Sequence, residues 1–229
     1  MLRIDNLKLP VGADEKALCA ACERALHVSA AEISSVQLLR RSIDAREGVK
    51  LVCSCAVEVK NETAALKRCK NKNVQPYAPR RYAPPAPIGV PAVSPVVVGA
   101  GPAGLFCALL LARCGARPIL LERGRAVEQR KQDVERFWHT GELDLSSNVQ
   151  FGEGGAGAFS DGKLNTGTKD LRHGFILEEF VRFGASGDIL VDAKPHVGTD
   201  RLYVVLQNLR REIIDRGGEV RFSHRVTDI

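Results

Sequence analysis

Aromatic residues are scarce in this chain of 229 residues: phenylalanine, tyrosine and tryptophan make up 5%, and Trp138 is the single tryptophan. The shortage bears most on the first 75 residues, which lack the aromatic stacking positions of an RNA-binding sheet, so nucleic acid is not an expected partner. Long apolar runs are also missing. No segment approaches the unbroken length of a membrane span, and the opening Met1-Leu-Arg-Ile-Asp-Asn places charges where a secretory signal has its apolar core. These absences predict a soluble, cytoplasmic protein without a membrane partner. Cys19 and Cys22 form a C-x-x-C, but a zinc site would place it on a tight loop, and no His or Cys pair elsewhere has finger-like spacing. Cys19 and Cys22 are expected within a helix, and Cys53 and Cys55 alternate within a strand, so the seven cysteines read as small apolar core residues in a reducing compartment and not as zinc ligands.

What is present suffices for substantial burial. At 45% hydrophobic residues the chain can form one large or two modest domains. Charge divides them: residues 1–94 hold 15 Lys and Arg against 9 Asp and Glu, whereas residues 95–229 hold 18 of each. A basic module therefore precedes a neutral one, and its excess reads as a solvated face or as a docking surface for an acidic partner or domain.

Residues 1–75 predict a small basic α+β domain. Leu2 to Pro10 alternates as a half-buried strand, Asp14 caps a helix to Leu26, and further strands are expected near Val36 to Arg46 and over Leu51 to Val59. Asn61 caps a short last helix. The order β-α-β-β-α, with a short final strand around Asn73 to Gln75, suggests a ferredoxin-like sandwich. The stretch Arg40-Arg41-Ser-Ile-Asp-Ala-Arg46 gathers three arginines around one aspartate, either as a locally ion-paired hairpin arm or as a docking site. Residues 76–94, rich in proline, predict a semi-rigid extended linker.

The second domain, residues 95–229, opens on Val96-Val-Val-Gly99-Ala-Gly101-Pro-Ala-Gly104. An apolar strand here feeds glycines spaced G-x-G-x-x-G. Gly99 permits the turn, Gly101 lets backbone approach a pyrophosphate, and Gly104 allows the helix to pack closely on the strand. Pro102 and Ala103 open that helix, whose free N–H groups and dipole face the phosphates. The next strand ends in Glu122, at the distance where a carboxylate binds ribose hydroxyls and disfavours a 2′-phosphate. Arg123 after it either lines the adenine or points to solvent.

The full pattern, from Gly99 through Ala108 and Gly115 to Glu122-Arg123-Gly124, resembles the FAD-binding start of glutathione-reductase-type flavoproteins. A second glycine loop runs from Ser147-Asn-Val-Gln150-Phe-Gly-Glu-Gly154-Gly155-Ala-Gly157-Ala-Phe-Ser160 to Asp161-Gly-Lys163-Leu-Asn165-Thr166. With Asp133 to Trp138, Ala193 to Leu202 and the Arg40 to Arg46 stretch, it is similar to a largely uncharacterised bacterial family of FAD-dependent dehydrogenases. That resemblance implies an α/β, Rossmann-like FAD-binding domain, with Gly154, Gly155, Ala156, Gly157 and Ser160 along the cofactor and the Val226 backbone at the adenine. It also implies an oxidoreductase of unknown substrate, with NAD(P)H as a transient electron donor. Lys163 and Asp161 are the candidates for work at the flavin, and His173 and His196 are weaker ones. Other readings stay open: a non-catalytic dinucleotide-binding or interaction module, or an NAD-binding Rossmann unit.

Helical spacing over Val127 to Trp138 and Leu171 to Phe183 predicts a long crossover. A helix capped by Thr199 or Asp200 then runs to Gly217-Gly218, followed by a strand near Glu219 and the start of another at Arg225 to Ile229. Members of the resembled family continue beyond this point. The expectation is therefore an N-terminal portion lacking its C-terminal half, with an open sheet edge.

Overall fold

The computed structural model describes residues 1–164 and 168–228, so Asn165 and Thr166 of the second glycine loop lie outside the described residues. The chain forms two compact units. The first holds Met1–Arg81, residues 168–174 and Gly187–Pro195, and the second holds most of the chain from Tyr82 onward.

In the first unit the elements are β1 (Leu2–Pro10), α1 (Glu15–Leu26), β2 (Ile33–Asp44), β3 (Lys50–Val59), α2 (Glu62–Arg68) and β4 (Val74–Pro76). The sheet order is β2-β3-β1-β4 with every pairing antiparallel, the split arrangement of a β-α-β-β-α-β chain. Period-two alternation puts Leu2, Ile4, Cys55 and Val57 on one face, where α1 supplies Cys22 and Leu26 and α2 supplies Ala65. The neighbouring Cys22 thiol, together with burial, holds the Cys55 thiol above its ordinary range. Among the described residues no group of three or more His, Cys, Asp or Glu is placed to hold a metal ion.

Both helix starts follow their capping residues. Asp14 Oδ1 accepts from Ala17 N at 2.8 Å, and Asn61 Oδ1 accepts from Ala64 N at 2.9 Å. Asp14→Ala removes an acceptor from an otherwise unpaired helix N–H, and denaturant titration should show a loss of about 1 kcal/mol.

The arginine stretch does not form one clamp. Arg46 lies beyond β2 and pairs with Asp44, whereas Arg41 donates to Asp192 at 2.9 Å and Asp188 at 3.0 Å. Backbone bonds from Arg41 N to Val191 O and from Ala193 N to Arg41 O extend this contact. They bring Gly187–Pro195 into the first unit, although residues 95–229 read in sequence as one domain.

The proline-rich stretch is shared out. Pro76 ends β4, while Ile88 N donates to Cys114 O, and the Tyr82 ring meets Phe175 edge-on at 5.3 Å. From Tyr82 onward the stretch belongs to the second unit, held there by the tyrosine ring and by Ile88 N, while residues 83–93 stay exposed.

The second unit contains β5 (Val96–Val98), α3 (Pro102–Arg113), β6 (Ile119–Leu121), α4 (Val127–Thr140), α5 (Arg172–Arg182), α6 (Thr199–Asp215) and β7 (Glu219–Arg221). Its sheet is parallel in the order β5-β6-β7, registered Val97↔Leu120↔Val220. Helix α3 buries Leu105, Ala108 and Leu109, and α6, which packs on it, buries Val205, Leu209 and Ile213. Arg113 ties three helices together by donating to Glu179 on α5 at 2.8 Å and to Glu212 on α6 at 2.9 Å. Strand β5 stands at the sheet edge, and Val96 and Val98 are 57% and 59% exposed. Two expectations are corrected here. Gly198, with no side-chain cap, precedes α6 in place of Thr199 or Asp200, and residues 224–228 form no strand because they find no neighbouring strand to pair with among the described residues. No described helix is long and apolar enough to cross a membrane.

Candidate functional site

The site is built where β5 turns into α3. Gly99 adopts φ +91° and donates to Leu121 O at 2.7 Å, which holds the turn beside the end of β6. Gly101 caps α3 with Pro102 as the first helical residue. A Cβ on Gly104 would lie 1.9 Å from Gly99 O, so only glycine permits this approach of helix to turn. A Cβ on Gly101 would meet nothing within 4 Å and would point into open space.

Glu122 holds the turn from below. Only 5% exposed, it accepts from Ala100 N through Oε2 and from Gly124 N through Oε1, both at 2.7 Å. A carboxylate has about four lone-pair directions, so each oxygen retains one for a ligand hydroxyl.

The second glycine loop is wound around a buried cation that has no motif signal in the sequence. Arg130 of α4 is 0% exposed and donates to the carbonyls of Asn148 (2.8 Å), Val149 (2.9 Å), Glu153 (2.6 Å) and Gly155 (2.8 Å), with a longer bond to Gly152 at 3.4 Å. Burial lowers the guanidinium to about 10, which leaves it cationic at neutral pH. Asn148 shapes the loop tip by accepting from Gln150 N and Phe151 N. A backbone strut then joins the two loops: Gly154 N donates to Ala100 O at 2.8 Å.

Between the loops lies a cavity of about 450 Å³. Of the residues singled out in sequence, Gly99, Gly101, Glu122, Arg123, Gly155 and Val226 line it. Gln150, Phe151 and Gly152 of the second glycine loop also line it, as do His224 and Arg225, which carried no motif signal. The Arg123 guanidinium stacks 3.7 Å over the Phe151 ring and donates to Leu145 O, while its Nε is buried without a partner. Pro102, Gly154, Gly157 and Ser160 border a separate apolar cavity of about 120 Å³. Ala103 and Ala156 line neither one.

The catalytic candidates are not drawn into the 450 Å³ cavity. Lys163 Nζ and Asp161 Oδ2 pair with each other at 2.7 Å, with 67% and 63% of their side chains exposed. His196 is exposed and shares an isolated bridge with Lys163, and His173 is half-buried.

A family model described as an FAD binding domain matches residues 92–133, the segment that contains β5, the turn, α3, β6 and Glu122. This match supports FAD as the ligand of the turn. Residues 1–60 match a domain of unknown function (DUF8436). An uncharacterized protein of Clostridium beijerinckii is 44% identical over 236 residues, covering 100% of this chain and 43% of its own length. The chain thus spans less than half of that relative.

The described residues fit the FAD assignment. Open space above Gly101 and the free N-terminus of α3 suit a pyrophosphate, and the remaining Glu122 lone pairs suit a ribose. The Arg123–Phe151 stack offers a flat surface of the kind a base packs on.

Proposed function

We propose that this chain is the FAD-holding part of an oxidoreductase. The observation that carries the reading is the Gly99–Gly104 turn, which opens at the end of a parallel strand into a cavity of about 450 Å³ floored by Glu122. Gly101 and the first turn of α3 hold the pyrophosphate, Glu122 the ribose, and Arg123 with Phe151 and the Val226 backbone the adenine side. Gly152 and Gly155 close the cavity from the second loop. When bound, FAD supplies reversible two-electron chemistry at its flavin ring, with NAD(P)H as the proposed donor. Lys163 and Asp161 remain the proposed contacts for the flavin side.

Purified chain mixed with FAD should retain a yellow colour through gel filtration. A colourless protein that takes up no FAD would sink the reading, and binding of NAD in its place would favour a nicotinamide site. Gly101→Val should weaken FAD binding by about 100-fold or more, because its side chain would occupy the phosphate space. Thermal stability should fall by no more than the cost of a poorer N-cap, about 1 kcal/mol, since that space is open in the folded chain.

A further inference from the structure

Glu153 is fully buried within the second glycine loop, next to the Gly154 strut that meets Ala100 of the phosphate turn. Its Oε2 accepts from Val127 N at 2.8 Å and so caps α4, which has no side-chain cap of its own at Ala126. The same oxygen accepts from Arg210 of α6 at 2.8 Å, but Arg210 is shared with Glu128 of α4. Its Oε1 is buried without a partner. Glu122, at the end of β6, adds a second nearby negative charge, and Arg130 of α4 donates to the Glu153 carbonyl, not to its carboxylate. A buried carboxylate oxygen without a donor is costly, and a neutral acid loses less on leaving water. Burial, opposed mainly by Arg210 and Val127 N, accordingly pushes the Glu153 carboxyl up to about 7.

Resting on the FAD reading above, we propose that Glu153 is a proton-linked positioning residue: when a nucleotide pyrophosphate binds at Gly99–Gly101, the Glu153 carboxyl takes up a proton. The physical cause is the sign of the new charge. A pyrophosphate brings negative charge to the turn that the loop supports, and nearby negative charge favours the neutral acid. Binding raises the affinity of Glu153 for a proton, and by linkage protonation raises the affinity for the nucleotide. Affinity is then highest below neutral pH and falls as pH rises through the range in which free Glu153 ionises.

The test is calorimetric titration of the full chain with ADP-ribose, whose pyrophosphate diester carries no proton near neutral pH, in two buffers of different ionisation heat. At pH 7 the expected result is net uptake of about 0.4 proton, with about sevenfold weaker binding at pH 8.5 than at pH 6 for a shift of about one pH unit. Glu153→Gln should bind without uptake and with a flat pH profile. His224 lines the same cavity, so His224→Gln serves as the control and should retain the uptake. Binding without proton uptake in the native chain would overturn the proposal, as would uptake lost in His224→Gln. If Glu153→Gln does not fold, the native chain and His224→Gln decide the matter. Failure of the native chain to bind ADP-ribose at any pH would overturn the FAD reading and this proposal with it.

Discussion

Arg130→Met is expected to abolish FAD uptake and to lower the denaturant midpoint so far that most of the chain is unfolded at 37 °C. The reason lies in what remains behind. Arg130 is the common donor for carbonyls of five loop residues from Asn148 to Gly155, and a thioether supplies none. Each buried carbonyl left without a donor costs about 1–3 kcal/mol, so two or three of them approach the whole stability of an ordinary domain, about 5–15 kcal/mol. Arg130→Lys keeps the charge but offers three donors from one point to carbonyls arranged around a planar fork. It should fold better than Arg130→Met and still bind FAD more weakly than the native chain. Urea titration followed by flavin absorbance on the same samples separates the two losses. A methionine variant of native stability and affinity would show that the loop holds its shape without the cation.

Gly104→Val is expected to damage the fold and the site together, in contrast to Gly101→Val three residues earlier. At position 104 the first added carbon would lie 1.9 Å from Gly99 O, a backbone atom that cannot swing aside. Helix α3 must then move away from β5, which disturbs the packing of Leu105 and Leu109 and pulls Gly101 out of place. Overpacking of this kind costs about 1–3 kcal/mol or more. Thermal unfolding should show a larger fall for Gly104→Val than for Gly101→Val, which loses only a better N-cap, while both lose FAD. Equal stability of the two variants would contradict the assignment of Gly104 to helix–strand packing and Gly101 to the ligand.

Both expectations rest on one arrangement, in which two loops far apart in sequence are fixed against each other. Glu122 reaches up to Ala100 N, and Gly154 reaches across to Ala100 O. Ala100 thus has both backbone groups engaged, so disturbance of the second loop reaches the phosphate turn directly. This connection explains why residues remote from the glycine motif, Arg130 and Glu153, are expected to affect nucleotide binding.

The parts legible from sequence are those governed by local rules. Alternation placed β1 and β3, Asp14 and Asn61 marked the helix starts, and the spacing of Gly99, Gly101 and Gly104 before Glu122 identified a nucleotide turn, because each depends on residues only a few positions apart. Tertiary structure alone decided that Arg130, read only as part of an amphipathic helix, is the buried post of the second loop. It also decided that Glu153 is sealed from water between α4 and α6, and that Phe151 stacks on Arg123. None of these has a sequence signal of its own. An arginine, a glutamate and a phenylalanine have the same local preferences whether they face solvent or a cavity, and only the packing of segments 20 to 60 residues apart determines which groups lose water and which partners replace it.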